Sequence, residues 1–208
     1  MSFGPWTSDR TVGPRQHQGT HVEDIFAKIE ECQRLRGWLI NSFAQIEFLI
    51  GDLPCRAWEI PEYAEMKQPV SIVAKNRMKQ TRSLLEAPGP LASYAERLVP
   101  LLDRFERYDQ ARNFIAHGFC SFDFVPRTRE VAMRFRCYVP RKGQPPELLE
   151  LYMLPGELGA ARDEWVPIAE QVVAICHEIY LRFGLENGGP VAERVVYRPD
   201  FSPGSRST

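Results

Sequence analysis

Residues 101–125 read LLDRFERYDQARNFIAHGFCSFDFV, and the hydrophobic period of this segment changes once along its length. Up to His117 the apolar residues recur every three or four positions, which is typical of an amphipathic helix. From Phe119 they alternate with polar residues, which is typical of a β-strand. Gly118 separates the two patterns, as glycine often does at the end of a helix. We therefore expect a helix over residues 100–117, with Pro100 at its start, that leads directly into a strand.

Helical spacing also extends before this segment. Residues 22–53 predict one long helix that ends at Pro54, and residues 71–86 predict a second helix that ends before Pro88. The apolar stripe of the first helix comprises Leu39, Phe43, Ile46, Ile50 and Leu53. The proline-containing stretch 55–69 is expected to be a connection with at most short helical pieces.

After residue 118 the chain contains three runs of β-forming residues, FCSFDFV, VAMRFRCYV and LLELYML, separated by turn-forming residues. They predict a three-stranded antiparallel meander at about residues 119–154. Alternation over residues 133–137 is expected to put Arg134 and Arg136 on one face of the sheet and apolar side chains on the other. A last helix follows, with Pro167 at its start or at a kink. The predicted fold is therefore mainly α: a four- to five-helix bundle with this small β-meander inserted before the last helix. We expect one domain over residues 21–186, with flexible tails at 1–20 and 187–208.

Composition restricts the possible functions. The chain has 208 residues and a formal net charge of −1, which argues against a broad polyanion-binding surface but permits a local basic groove. Its five cysteines are scattered without a C-x-x-C pair, so neither a zinc knuckle nor a disulfide framework is predicted. The sequence shows no signal peptide and no membrane-spanning apolar run. We expect a cytoplasmic protein with no metal, no cofactor and no membrane partner.

The segment RNFIAHG, residues 112–118, combines groups that suit cleavage of an RNA backbone. The Arg112 guanidinium matches the geometry of a phosphate, and the His117 imidazole can take and give a proton near neutral pH. Asp109, Asn113 and His117 are spaced by four, so they are expected to share one strip of the helix, with Arg112 beside it. We expect Asn113 to orient His117 through a hydrogen bond.

A structural alternative stays open at this point. Arg112 falls on the apolar stripe of the predicted helix, where a charge needs a partner. It could simply pair with Asp109, or with Glu47 on the first helix, and a histidine in the last turn is favoured by the helix dipole. In that case the protein would be a helical interaction protein without a catalytic site.

RNFIAHG resembles the R-x4-6-H signature of HEPN domains, in the form with a polar residue directly after the arginine. The order of elements is also similar to that of bacterial HEPN-like proteins: an opening helix with an acidic residue, here within SFAQIEFLIGDL, then a helix with lysines, then the signature at the end of a third helix. The resemblance covers residues 22–185. The β-meander is not expected in a minimal member of the family.

The resemblance implies a helical bundle that dimerises so that two copies of the motif meet in one cleft. It implies a metal-independent endoribonuclease, often part of toxin–antitoxin or antiviral systems, with RNA as substrate and an antitoxin or regulatory protein as a further partner. Arg112 and His117 would be the catalytic pair and Asn113 a polar helper. A catalytically silent HEPN-like dimeric module that binds RNA, a nucleotide or a partner protein is the alternative.

Two basic groups are candidates for RNA binding, although charge runs are often simply solvated faces. The residues proposed for this role are Lys75 and Lys79 on the second helix and Arg134 and Arg136 in the sheet. Arg77 and Arg82 extend the first group, and Arg127, Arg129, Arg141 and Lys142 extend the second.

Overall fold

The computed structural model describes residues 19–125 and 130–186. The α-helices in these ranges are α1 (Gly19–Ala57), α2 (Ala74–Glu86), α3 (Ala95–Arg107), α4 (Asp109–His117) and α5 (Pro155–Arg182), with short 3₁₀ helices at Pro61–Met66 and Ala92–Tyr94. The strands are β1 (Phe119–Val125), β2 (Glu130–Arg141) and β3 (Gln144–Met153). The predicted tails at 1–20 and 187–208 lie outside the described residues, except that α1 already begins at Gly19.

The predicted fold class is confirmed at the level of its elements: the chain is mainly helical, with a small antiparallel sheet before the last helix. The strands form a meander in the order β1-β2-β3. Phe119 of β1 lies opposite Arg136 of β2, which in turn lies opposite Glu150 of β3. The predicted alternation in β2 is also confirmed, because Met133 and Phe135 are fully buried whereas the arginines between and after them are partly exposed.

The predicted end of the first helix at Pro54 is wrong, since α1 continues to Ala57. A proline inside a helix has no N–H to donate to the carbonyl four residues earlier, which here belongs to Ile50. The hydroxyl of Thr81 on α2 donates to this Ile50 oxygen at 2.7 Å, and Thr81 is fully buried. The side chain of a second helix thus supplies the donor that Pro54 lacks.

Replacing Thr81 with valine keeps the shape of the side chain but leaves the buried Ile50 carbonyl without this donor. We expect the free energy of unfolding to fall by about 1–3 kcal/mol. Urea denaturation would measure the loss, with Ser83→Ala at an exposed position of α2 as the control. Equal stability of the two variants would contradict this account of Pro54.

The predicted single helix over residues 100–117 is also wrong. Pro100 lies inside α3, and the helix breaks at Tyr108, whose backbone has φ −102° and ψ 14°. The Tyr108 ring packs edge-on against Trp165 with a centroid distance of 4.8 Å, and its hydroxyl donates to Glu164 at 3.0 Å. These contacts hold Tyr108 at the break. Because both partners belong to α5, the hydrophobic periodicity of residues 101–117 does not reveal them.

Pro100 and Pro167 are tolerated within α3 and α5 for a different reason from Pro54. Both prolines are exposed, and the carbonyls that they leave without an N–H donor belong to the exposed residues Glu96 and Asp163. Water can donate to a carbonyl at such a position. Pro167 therefore lies inside α5 and does not start it.

The chain divides into two compact units. The first comprises the residues up to Gln45 together with Arg104–Glu170, and the second comprises Ile46–Asp103 together with the residues from Gln171 onward. The core of the first unit includes Leu39, Phe43, Phe105, Phe114, Met133, Phe135 and Trp165. The core of the second includes Ile50, Leu53, Tyr63, Leu84, Leu98, Val172 and Ile179. The candidate site lies in the first unit.

Candidate functional site at the end of α4

The motif residues lie on α4, a helix of nine residues between Tyr108 and the first strand. Arg112 is 6% exposed, together with the buried Phe114 and Ile115, as the apolar stripe predicted. Asp109, Asn113 and His117 are all exposed, which agrees with the single strip of the helix that their spacing predicted. Arg112 and His117 are five positions apart, which places them about 140° apart around the helix axis. One helix end thus carries a buried cation and an exposed imidazole on different sides.

Arg112 is held by a network within its own helix and by an aromatic ring. Its guanidinium forms an ion pair with Asp109 and donates to Asn113 Oδ1 at 3.2 Å. The guanidinium carbon lies 5.3 Å from the centroid of the Phe105 ring on α3. Burial lowers the pKa of Arg112, because the charged form loses hydration, but an arginine remains protonated under all physiological conditions. Arg112 is therefore a positioned cation.

One expected contact of the motif differs from the structure. Asn113 donates from Nδ2 to Asp109 Oδ2 at 3.5 Å and accepts from Arg112, whereas within the described ranges His117 has no hydrogen-bond partner. The expectation that Asn113 orients His117 is therefore wrong. Glu47 forms an ion pair with Arg77 at 3.4 Å, and Arg112 forms one with Asp109, as the structural alternative expected.

His117 opens onto a groove of about 660 Å³, within the range of pockets that hold small ligands. This His117 groove is lined by His117, Phe119, Arg136, Cys137, Tyr138 and Leu148. The Arg136 guanidinium stacks on the Phe119 ring with a distance of 4.8 Å to its centroid. The imidazole thus shares one groove with a guanidinium and two exposed aromatic rings.

The end of α4 is fixed by the first helix and by Gly118. Arg36 of α1 donates from Nε to the carbonyl of Ile115 at 2.9 Å, and its guanidinium lies 5.6 Å from the Phe135 ring centroid. Such a contact satisfies one of the carbonyls that a helix end leaves unpaired. The Gly118 N–H donates to the Phe114 carbonyl at 2.9 Å. His117 is therefore held on a backbone that is anchored from two sides.

Gly118 is needed for space and not for an unusual backbone angle. Its φ of −64° is open to any residue, but a Cβ at this position would lie 2.5 Å from the Phe114 carbonyl oxygen and 3.3 Å from the Phe135 Cβ. Both neighbours belong to packed elements and cannot move aside easily. The close turn from α4 into β1 therefore requires a residue without a side chain.

Replacing Gly118 with alanine should lower the free energy of unfolding by about 1–3 kcal/mol, as overpacking of a filled site does. The control is Gly37→Ala, at an exposed position inside α1 where an added Cβ meets nothing within 4 Å. This control should stabilise the protein by about 0.5–1 kcal/mol, because alanine loses less entropy in a helix. Thermal unfolding would compare the two, and a neutral Gly118→Ala would contradict the steric argument.

The residues predicted to bind RNA are distributed over both units. Arg136 lines the His117 groove, whereas Arg134 lies between Asp123 and Glu150, at 3.2 Å from each carboxylate. Lys75 and Lys79 are exposed on α2, in the second unit. Arg77 pairs with Glu47, Arg82 with Asp103 and Arg141 with Glu147. Arg127 and Arg129 lie outside the described residues.

Sequence reasoning missed the apolar residues of the groove, Phe119, Tyr138 and Leu148, and the role of Arg36. A signal for part of this was available, because Tyr138 alternates with Arg134 and Arg136 and so had to lie on their side of the sheet. The positions of Phe119 and Leu148 depend on the pairing of the strands, which places them opposite Arg136 and Tyr138. A one-residue change of register would move both to the other face.

Comparison of the chain with protein-family models, with curated proteins and with solved structures finds no match. Among the described helices, none has the length and apolar content needed to cross a lipid bilayer. In the same residues, no three His, Cys, Asp or Glu side chains are grouped so that they could share a metal ion.

Proposed function

We propose that this protein is a metal-independent endoribonuclease of the HEPN type, which cleaves RNA with His117 and Arg112. The observation that carries the proposal is the position of His117, which is exposed at the end of α4 and lines a groove that also contains Arg136. A general acid or base must reach its substrate, and a phosphodiester needs a cation close to it. The resemblance of RNFIAHG to the HEPN signature adds the reaction class.

The chemistry needs few groups. His117 accepts the proton of the 2′-hydroxyl, the 2′-oxygen forms a bond to phosphorus, and the bond from phosphorus to the 5′-oxygen breaks. A proton passes to the leaving 5′-oxygen, and a second copy of His117 in a homodimer supplies it. The products carry a 2′,3′-cyclic phosphate and a 5′-hydroxyl. Arginine stabilises the charge that builds on the phosphate oxygens.

Arg112 takes part by exchanging one anion for another. One of its partners in the structure is Asp109, whose side chain is 54% exposed. An exposed carboxylate is readily hydrated, so the pair can open when a phosphate competes for the guanidinium. Asn113, which accepts from Arg112, helps to hold the guanidinium during this exchange.

The test is incubation of the purified protein with mixed cellular RNA in EDTA, followed by mapping of the RNA ends. Cleavage with 2′,3′-cyclic phosphate ends is the expected result. Absence of cleavage over a wide range of RNAs would contradict the proposal and favour the second candidate.

The second candidate is a catalytically silent HEPN-like dimeric module that binds RNA, a nucleotide or a partner protein. The observation that favours it is the occupation of the Arg112 guanidinium by Asp109 and Asn113. Retained RNA binding without cleavage would distinguish this module from the ribonuclease.

A further inference from the structure

One face of the sheet exposes several large side chains, although sheet faces usually bury such residues. We call it the aromatic face, and it includes Phe119, Arg134, Arg136, Tyr138, Leu148, Glu150 and Tyr152. The exposed fractions are 64% for Phe119, 70% for Tyr138 and 49% for Tyr152. The opposite side of β2 is fully buried at Met133 and Phe135. The rings of the aromatic face are thus not needed for the core and are open to a ligand.

The two arginines of the aromatic face differ in their carboxylate partners. Arg134 lies between Asp123 and Glu150, and the other Glu150 oxygen accepts from the Tyr152 hydroxyl at 3.3 Å. Glu150 lies opposite Arg136 in the register, but both of its oxygens are engaged by these neighbours. In the part of the chain that the structure describes, no carboxylate pairs with Arg136. Arg136 is therefore the cation of this face that can bind an anion.

Arg136 also lies between the rings that border the His117 groove. Phe119 is directly opposite Arg136 on β1, and Tyr138 is the next residue on the same side of β2. Such neighbours are about 5–8 Å apart, so their side chains can contact one ligand. The Nε of Arg136 is buried and has no hydrogen-bond partner among the described residues, while the guanidinium stacks on Phe119. The Nε–H of Arg136 thus lacks an acceptor, and it lies beside the Phe119 and Tyr138 rings that a ligand would contact.

We infer that the aromatic face binds single-stranded RNA, with bases stacked on Phe119 and Tyr138 and a phosphate bound by Arg136. Flat rings accept any base, and a guanidinium without a carboxylate partner accepts a phosphate. Only a single strand has base faces that are free to stack on side chains. The groove continues to His117, so a strand bound here enters the proposed catalytic site; this last step rests on the proposed ribonuclease function.

A second copy of the chain fits this face less well. In a two-fold symmetric contact the same surface meets itself. A contact centred on Arg136, which has no carboxylate partner among the described residues, would bring the two copies of this cation together. Like charges directly opposite each other are destabilising. Arg136 beside the rings therefore favours a polyanion over a two-fold contact centred on this residue.

The experiment measures fluorescence anisotropy with a labelled single-stranded 2′-O-methyl RNA of about 12 nucleotides, which is within the site size of such surfaces. The methyl groups block attack by the 2′-oxygen, so binding is measured without cleavage. Phe119→Ala should weaken binding about tenfold through the loss of stacking. Arg136→Ala should weaken it about tenfold and also reduce the dependence of affinity on salt, by about one unit of slope on logarithmic axes.

Two matched controls should bind as the unaltered protein does: Phe48→Ala, at a ring that is 62% exposed on α1, and Arg97→Ala, at an exposed arginine of the second unit. The same sequence as a duplex should bind less tightly. Absence of binding by the unaltered protein, or unchanged binding by Phe119→Ala and Arg136→Ala, would overturn the inference. So would a dimer that Phe119→Ala dissociates while its RNA affinity stays the same.

These experiments test RNA binding by the aromatic face separately from the proposed ribonuclease activity. If the unaltered protein binds this RNA through Phe119 but cleaves no natural RNA, the ribonuclease proposal fails and the RNA-binding face stands. If it cleaves RNA while Phe119→Ala and Arg136→Ala bind and cleave normally, the binding face fails and the ribonuclease stands.

Discussion

Replacing His117 with alanine should reduce cleavage of RNA by at least about 100-fold, the lower range for loss of a general acid or base. The fold should be unaffected, because His117 is exposed and no hydrogen bond to another described residue is lost. Cleavage would be measured in EDTA on mixed cellular RNA, with mapping of 2′,3′-cyclic phosphate ends. The expected result is the disappearance of these ends.

The matched control for this change is His177→Ala, an exposed histidine on α5 in the second unit. It removes the same imidazole from another surface and should cleave as the unaltered protein does. Persistent cleavage by His117→Ala would exclude His117 as the catalytic group. A loss in both variants would point to a general effect of the substitutions and would equally contradict the assignment.

Replacing Arg112 with methionine separates catalysis from structure. Methionine fills the buried position with an apolar chain, and the released Asp109 is 54% exposed and can be hydrated. We therefore expect the melting temperature to change by only a few degrees, as for ion pairs replaced by apolar groups. Cleavage should nevertheless fall by about 100-fold or more, because the cation that stabilises the phosphorane is lost.

Two companion variants make this prediction decisive. Asp109→Asn removes the negative partner but leaves the guanidinium, so cleavage should be retained. Arg107→Met removes an exposed arginine of α3 and should change neither stability nor cleavage. If Arg112→Met is as stable and as active as the unaltered protein, Arg112 and Asp109 form only a structural ion pair, which was the alternative already visible in the sequence. If Arg112→Met fails to fold, loss of cleavage by a folded Arg112→Lys tests the role of the guanidinium.

The elements could be predicted from the sequence where one local period dominates. The change from helical spacing to alternation at Gly118 located the sheet, and the alternation in β2 correctly placed Arg134 and Arg136 on one face. The burial of Arg112 followed from its place on the apolar stripe. The helix-to-strand change, the face of the arginines and the burial of Arg112 are each set within a short segment, so the local spacing of apolar residues predicts them.

The errors concern contacts between distant parts of the chain. Pro54 does not end α1 because Thr81, on another helix, donates to Ile50. Tyr108 interrupts the predicted helix beside Trp165 and Glu164, which follow the sheet in the sequence. A local clue existed for the second case, since Arg104 and Arg107 suit the end of one helix and Asp109 suits the start of the next.

Individual residues of the site could be predicted from the sequence, but the set of residues that line the groove could not. RNFIAHG drew attention to His117, and Arg136 was proposed for RNA binding from charge alone. That these two residues line one groove depends on the direction in which β1 leaves α4 and on the register of β2. No residue spacing in the sequence encodes this meeting, because the two side chains belong to different elements.

The position of β3 at one edge of the sheet has a consequence for colloidal behaviour. An open strand edge is a template on which other chains can add, and this leads to fibres. β3 begins with Gln144, Pro145 and Pro146, and it carries Glu147 and Glu150 further along. The prolines have no N–H to offer to an added strand, and charged side chains along an edge disfavour the addition of another strand. The sheet can therefore display exposed rings on its face while this edge resists polymerisation.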